Sequence, residues 1–521
     1  MALLRLSLII QHQLAAGREL WLAFLDLEQA FERAWRVGIL YQLWVSGVRG
    51  KCWRVIREML SNISGFVRSN YGDTKKFGIG DGVLQGSVLA AILFIVFINP
   101  LIEALRPYSP SIRRLTLAPE LFADDLCLIA THEQERSLLI MLCIVWTDKW
   151  RSSVKPSKSG LLTLAHSPPS SRTKVNGMFF AELAHLTHLG IGVESSGVFT
   201  IGHVRSKLEK CVRRLQELTD AGLHLGGLSP DACIELYEQS VLSLVSYAFS
   251  LCPPESKRMK LLDRAQVDFA NEYLGLPPDS PGSICKSELG LLDFELRALK
   301  ARLFLLHRVR NNKTDTLTNV MLGWPLDERK DTFVDHCQAS LGPILSRLSL
   351  RSLLSTPYAI ASSTISAALL REQQDRWQAQ SSLSDRTQAH AADKGRWGQD
   401  PYLLSQEPTH AQRFIRFRAG LTPLPVVVHP GSAREVCALC RRQTPSREHL
   451  LWQCPSTAGP RDVFFRQIGT HLSAPLLSLS PTAASRAVLG GGKECRQSKW
   501  RALSTPSVVF ISEVTLVVEH S

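Results

Sequence analysis

The sequence has no long hydrophobic run, no internal repeat and no dense cysteine framework. Its most apolar stretch, VLAAILFIVFI at 88–98, is 11 residues long, too short to span a bilayer. The opening MALLRLSLII gives way to QHQ before an apolar core and a small-residue cleavage site are complete, so no signal peptide is expected. The 12 cysteines are scattered, which excludes a secreted disulfide scaffold. Most of them read as reduced, buried small side chains of an intracellular protein, nuclear or cytoplasmic. Acidic residues are in deficit, with Asp+Glu 47 against Lys+Arg 60 and a net charge of +13. That surplus favours a polyanionic partner, nucleic acid ahead of a membrane surface, and no membrane is expected among the partners.

Against these absences stand 45% hydrophobic and 21% charged residues, the balance of a globular protein with real cores. At 521 residues the chain has room for about three or four domains. Residues 3–16 read as an amphipathic helix closed at Gly17, and LWLAFLDL (20–27) as a buried strand with Asp26 near its end. AFERAW, GILYQLW and CWRVIREML look helical. ISGFVRSN and TKKFGIG look like a hairpin pair around YGD (71–73), and residues 83–105 like a glycine-bearing loop that becomes a long buried helix. LFADDLCLIA (121–130) is too short and too sharply interrupted for a helix. It fits two short strands with Asp124 and Asp125 at the tip of their turn. The mixture predicts an α+β fold. Residues 203–310 read as mostly helical, residues 360–410 as a linker with some helix, and no structure is assigned after about 465.

Asp124 and Asp125 interrupt an apolar run, and charge buried there costs several kcal/mol per ion, to order of magnitude, unless it is compensated. Carboxylates from two strand ends, with no basic neighbour in sequence, repel each other. A divalent cation removes that repulsion, and Mg²⁺ needs only one or two carboxylates, with water and phosphate oxygens completing its shell. A plain Asp-Asp turn is the other reading that the residues allow.

CALCRRQTPSREHLLWQCP sets Cys437, Cys440, His449 and Cys454 in the spacing C-x2-C-x8-H-x4-C. Three thiolates and one imidazole suit a closed, structural, tetrahedral Zn²⁺ site. Just before it, RFIRFRAG interleaves Arg413, Arg416 and Arg418 with Phe414 and Phe417. That is either a nucleic-acid-contacting strip or a solvated basic helix face.

FLDLEQAFE (24–32), GVLQGSVLAAILF (82–94), FADD (122–125), VKPSKS (154–159) and HLGIGV (188–193) occur in that order. Together they resemble the successive palm motifs of reverse transcriptases of non-LTR (LINE-type) retrotransposons. The resemblance implies a right-hand polymerase palm with an antiparallel sheet, largely lacking fingers, then a helical thumb and a small Cys/His zinc knuckle. It also implies an RNA-directed DNA polymerase that extends a primer 3′-hydroxyl with dNTPs, using two Mg²⁺ ions and one structural Zn²⁺. Its partners would be an RNA template and a DNA primer. A catalytically inactive nucleic-acid-binding remnant is the alternative.

Carried over, Asp26 and Asp124 become the metal-binding carboxylates, with Asp125 less directly involved. Phe31 becomes the ring that excludes a 2′-hydroxyl. Gln85, Gly86 and Ser87 become the loop at the nascent base pair, and Lys158 the lysine near the triphosphate. HLGIGV becomes the hairpin at the primer end, while Lys207, Lys210, Arg213 and Arg214 become contacts to a duplex backbone. Leu84, Phe122 and Glu32 depart from the usual Pro, Tyr and Asp. The boundaries expected are 1–195 for the palm with partial fingers, 196–310 for the thumb and 311–409 for a helical connection and linker. The basic strip and knuckle take 410–465, and a tail follows over 466–521. The upstream fingers motifs and an amino-terminal endonuclease are absent from this sequence, which reads as a truncated copy or an incomplete gene model.

Overall fold

The structure is a computed structural model. It describes residues 1–84, 86–164, 172–194, 197–198, 201–222, 228, 230–246, 249–251, 257–312, 316–325, 332–341, 356–400, 408–422, 424–428, 435–469, 476–490 and 497–519. The chain divides into two compact units, Met1–His203 with Val309–His336, and Val204–Arg308 with Cys337–Ser521. Helices and strands are mixed, as the sequence predicts.

The first unit is built on a six-stranded sheet. Its strands are β1 (Leu20–Asp26), β2 (Glu120–Phe122), β3 (Asp125–Ala130), β4 (Gly160–Leu164), β5 (Arg172–Val175) and β6 (Met178–Glu182), in the spatial order β5-β6-β4-β1-β3-β2. All neighbours are antiparallel except β4 and β6. Every side chain from Leu20 to Leu25 is buried, as a central strand covered on both faces requires. Among its helices are α1 (Ala2–Ala15), α2 (Arg36–Val45), α3 (Gly50–Leu60), α4 (Ala90–Leu105) and α5 (Glu133–Lys149).

Alternate residues Trp21, Ala23 and Leu25 of β1 and Leu126, Leu128 and Ala130 of β3 share one apolar cluster with Phe94, Phe97 and Leu101 of α4 and Leu139, Ile140 and Cys143 of α5. Each fully buried Phe or Leu in it contributes about 1.5–3 kcal/mol. The segment Ala90–Tyr108 is long and apolar enough to cross a membrane by length and composition. Its inner face instead belongs to this core. Gly38 lets α2 approach closely, since a Cβ there would lie 2.8 Å from Trp35 and 2.9 Å from Phe97.

The second unit is mainly helical. Residues 360–410, expected as a linker with some helix, contain two packed helices, Tyr358–Ser381 and Asp385–Lys394. Ala361, Ile365, Leu369, Gln373, Trp377 and Ser381 form a buried stripe at every fourth position, and the Trp377 indole N–H donates to Ser283 O at 2.9 Å. The polar outer face of this helix is what makes its sequence resemble a linker. Beyond residue 465, where the sequence assigns nothing, helices Pro481–Leu489 and Gln497–Glu519 add Val488, Val508, Ile511 and Val514 to the core.

Candidate functional site

Asp26 ends β1 and Asp125 begins β3. The register pairs Asp26 directly with Asp125. Residues opposite each other across an antiparallel pair project from the same face, so these two carboxylates are neighbours. Phe122 pairs with Asp125, which leaves Ala123 and Asp124 as a two-residue turn. Ala123 adopts φ 56°, the left-handed conformation that such hairpin turns need and that a residue with a side chain seldom takes. The Asp pair thus sits at a strand–turn–strand tip, as the sequence predicts. The resemblance gives Asp125 the lesser part, whereas the register makes Asp125 the residue facing Asp26.

Burial, then the charges of Asp124 and Asp26, pushes the Asp125 carboxyl above its usual range. Among the described residues no Lys or Arg pairs with any of the three. The cluster concentrates negative charge at the strand tips, although in this structure the three carboxylates do not bring their oxygens close enough to hold one ion as a set of three.

The segment 153–159 buttresses the end of β1. The Asp26 N–H donates to Ser159 Oγ at 3.1 Å, Lys155 N–H to Asp26 O at 2.9 Å, and Glu28 N–H to Ser153 O at 2.9 Å. Lys158 lies exposed in this turn, next to Ser159. Phe31 is half-buried with its ring stacked on Phe94, centroids 4.6 Å apart. The segment from Phe31 to Ala34 receives the glycine loop, since Val83 N–H donates to Phe31 O at 2.9 Å and Gly82 N–H to Ala34 O at 3.0 Å. Gly82 has φ +82°, and a Cβ on it would lie 2.2 Å from Glu32 O, so only glycine fits. Gly86, φ 84°, is exposed and Ser87 is half-buried. Gln85 lies outside the described residues.

Sequence reasoning missed Arg36. Its buried guanidinium donates to four carbonyls: Ile79 O at 2.6 Å, Gly82 O at 2.8 Å, Asp81 O at 3.0 Å and Leu60 O at 3.2 Å. It fastens the loop before α4 to the chain that follows β1. An arginine in the first turn of a helix looks like a surface residue, and nothing in the sequence marks it. Arg36→Met is expected to cost about 2–4 kcal/mol, because it strands carbonyls that burial keeps from water. Urea unfolding of wild type and variant checks this.

HLGIGV forms a hairpin of strands His185–His188 and Ile191–Glu194, with Leu189 (φ 49°) and Gly190 (φ 78°) as its turn. His188 packs on Phe24 at 4.9 Å, and burial lowers its pKa to about 4. Helix Ile201–Asp220, which lies in the second unit from Val204 on, exposes Lys210, Arg213 and Arg214 and half-exposes Lys207; Arg214 pairs with Glu217 at 2.9 Å.

The expected strip at 413–418 is not a surface strip. Phe414, Phe417 and Arg418 are buried, and the Arg418 guanidinium pairs with Glu288 and, at 2.8 Å, with Asp400. A buried arginine with two carboxylates is committed to the core. Arg413 and Arg416 remain half-exposed, with Arg413 3.4 Å from Glu519.

Cys437, Cys440, His449 and Cys454 converge, their ligand atoms all within 4.8 Å of one another. Cys437 ends a hairpin of Val426–Val428 with Glu435–Cys437, and His449–Gln453 forms one wide helical turn that delivers Cys454. Gln443 Oε1 lies 2.7 Å from His449 Nδ1, which aims Nε2 at Cys440 Sγ, 3.3 Å away. Burial, aided by Arg461, lowers the His449 pKa. Burial raises the Cys440 thiol pKa, but hydrogen bonds from the Arg442 and Gln443 amides and with Cys437 and Cys454 together outweigh it and lower the pKa overall. Among the described residues this is the one set of three or more such ligands close enough to hold a metal ion together.

Asp26 and Asp125 face each other across the ends of β1 and β3, and the glycine loop that leads into α4 is bonded to Phe31 and Ala34. Residues 4–194 match the family described as reverse transcriptase (RNA-dependent DNA polymerase). This part of the chain is similar to the reverse transcriptases, and the curated proteins it resembles are RNA-directed DNA polymerases of mobile elements. Among curated relatives, the probable RNA-directed DNA polymerase from transposon BS of Drosophila melanogaster is 27% identical over 207 residues, 37% of this chain and 22% of that protein. The RNA-directed DNA polymerase from mobile element jockey of Drosophila funebris is 24% identical over 245 residues, 44% of this chain and 25% of that protein. The matches thus span about a quarter of those relatives' length. Telomerases of Candida albicans and Candida tropicalis align over 60% and 61% of this chain and 51% of theirs. They do so at 9% and 10% identity with TM-scores of 0.29, too distant to establish the fold.

Proposed function

We propose that the first unit is a polymerase palm and that the chain extends a primer 3′-hydroxyl on an RNA template with dNTPs. The observation that carries this reading is the facing of Asp26 and Asp125 beside Asp124, with no Lys or Arg among the described residues paired to them. Asp26 and Asp124, with Asp125 adjoining, would hold Mg²⁺. Two such ions would activate the attacking hydroxyl and offset charge on the leaving pyrophosphate.

The protein's own groups do the positioning. The Phe31 ring, held by Phe94, would close the space that a 2′-hydroxyl needs. Lys158 would stand near the triphosphate, carried by the same turn that fixes Asp26 through Ser159. The exposed cations of helix Ile201–Asp220 would take the part of a thumb and contact duplex phosphates without reading sequence. Cys437, Cys440, His449 and Cys454 would hold one structural Zn²⁺, since four protein ligands leave no position for water.

Primer extension on poly(rA)/oligo(dT) with Mg²⁺ tests the polymerase reading. Incorporation by the wild type that disappears in Asp124→Ala supports it. Nucleic-acid binding without any incorporation leaves the remnant reading instead. Phe31→Ala is expected to keep dNTP incorporation within about tenfold while improving ribonucleotide use by about 10-fold or more, because a steric gate acts on one substrate only. Paired dTTP and UTP kinetics on the same template check this.

A further inference from the structure

Between α3 and the glycine loop the chain runs out and back as a thin ribbon. Ser64 and Gly65 pair with Gly78 and Phe77, and Arg68 and Ser69 pair with Asp73 and Gly72, so Asn70 and Tyr71 make the tip. Where regular pairing lapses, Thr74 N–H donates to Val67 O at 3.0 Å and Val67 N–H to Thr74 Oγ1 at 2.9 Å. A two-stranded ribbon is marginal by itself. This one is held at its base by Arg36, which grips Leu60 O before the outgoing leg and Ile79 O, Asp81 O and Gly82 O after the returning one.

The ribbon shows solvent what a protein normally hides. Phe66 is 44% exposed, Phe77 51%, and Tyr71 fully. Interleaved with these rings are Arg68, Lys75 and Lys76, all exposed, against a single acid, Asp73. The Arg68 guanidinium lies 5.6 Å from the centre of the Phe66 ring. Rings alone would suit an apolar protein face, and cations alone any polyanion. Alternating the two suits a chain that carries flat apolar faces and phosphates together, which is single-stranded nucleic acid. A duplex keeps its base faces stacked and offers nothing to the rings.

We propose that the ribbon of residues 63–79 is a platform for single-stranded nucleic acid. Its base continues into the loop bonded to Phe31 and Ala34, so a strand lying on it is led toward Asp26; this last step rests on the polymerase reading, whereas the binding itself does not.

Full-length protein is titrated with a labelled oligoribonucleotide, its DNA counterpart and a duplex of the same sequence, over a range of salt. The Arg68→Ala/Lys75→Ala/Lys76→Ala variant is expected to bind single strands more weakly, with its salt slope shallower by about two, at about 0.7 per lost phosphate contact. Tyr71→Ala is expected to weaken single-strand binding about 5- to 100-fold with an unchanged slope and little effect on duplex. Equal losses for RNA and DNA assign recognition to phosphate and base faces, and a larger loss for RNA adds the 2′-hydroxyl; both support the platform. Unchanged single-strand affinity and slope in both variants would overturn it, as would ring-dependent binding to anionic vesicles but not to oligonucleotides. Asp124→Ala keeps the ribbon intact, so ribbon-dependent binding that survives in it while wild type fails to extend primers would sink the polymerase reading alone.

Discussion

Asp124→Ala is expected to lower primer-extension activity by at least about 10³-fold, the scale of removing a group that holds charge in a polymerase centre. Its thermal unfolding midpoint should match or exceed that of the wild type without metal. The two effects have opposite signs for one reason. Burial, and then repulsion by the carboxylates of Asp124 and Asp26, lifts the Asp125 pKa in the folded protein, and Asp124→Ala removes the larger of the two repulsive contributions. A raised folded pKa contributes stability below the unfolded carboxylate pKa and loses it as pH rises through the folded value. At neutral pH the metal-free cluster therefore opposes folding, and removing one member relieves it. A structural aspartate would behave in the reverse way, with stability falling and activity following. Incorporation assays and thermal scans on the same preparation separate the two.

Cys437→Ser is expected to take bound zinc from about one ion per chain to nearly none. It should also abolish amide protection around residues 435–457, because metal binding in small Cys/His sites is folding free energy. Cys437 is fully buried and its N–H donates to Gln443 O at 2.8 Å, while Gln443 Oε1 orients His449. Losing the ion loosens both ends of the turn together. Arg447, in the same loop, reaches Asp393 at 2.6 Å, so protection should also fall in helix Asp385–Lys394. Metal analysis and hydrogen exchange read the two effects.

The hairpin at 121–130 was legible because two charges inside an apolar run have few places to go, and a strand tip is one. β1 was legible because a short, fully apolar segment bounded by polar residues is a central strand. The pairing of Asp26 with Asp125 was not, since register depends on how far Phe122 and Asp125 are drawn together by the Ala123–Asp124 turn. Arg36 was hidden because its partners are backbone carbonyls, which every residue has. Arg418 was misread because alternating Arg and Phe describe a wet face and a buried ion pair equally well. Its partners, Glu288 and Asp400, lie 130 and 18 residues away in sequence. The helix Tyr358–Ser381 escaped because a stripe one residue wide leaves a polar composition.

Fe²⁺-directed cleavage tests the shared acidic centre most directly. Fe²⁺ substituted for Mg²⁺ cuts the backbone wherever it is held. Cuts are expected near residue 26, near residues 123–125 and within 153–159, and all three should vanish together in Asp26→Ala and in Asp124→Ala. Cutting at one of these segments alone, or cuts at one that survive removal of the other's aspartate, would mean that the two strand tips do not share an ion and would contradict the account.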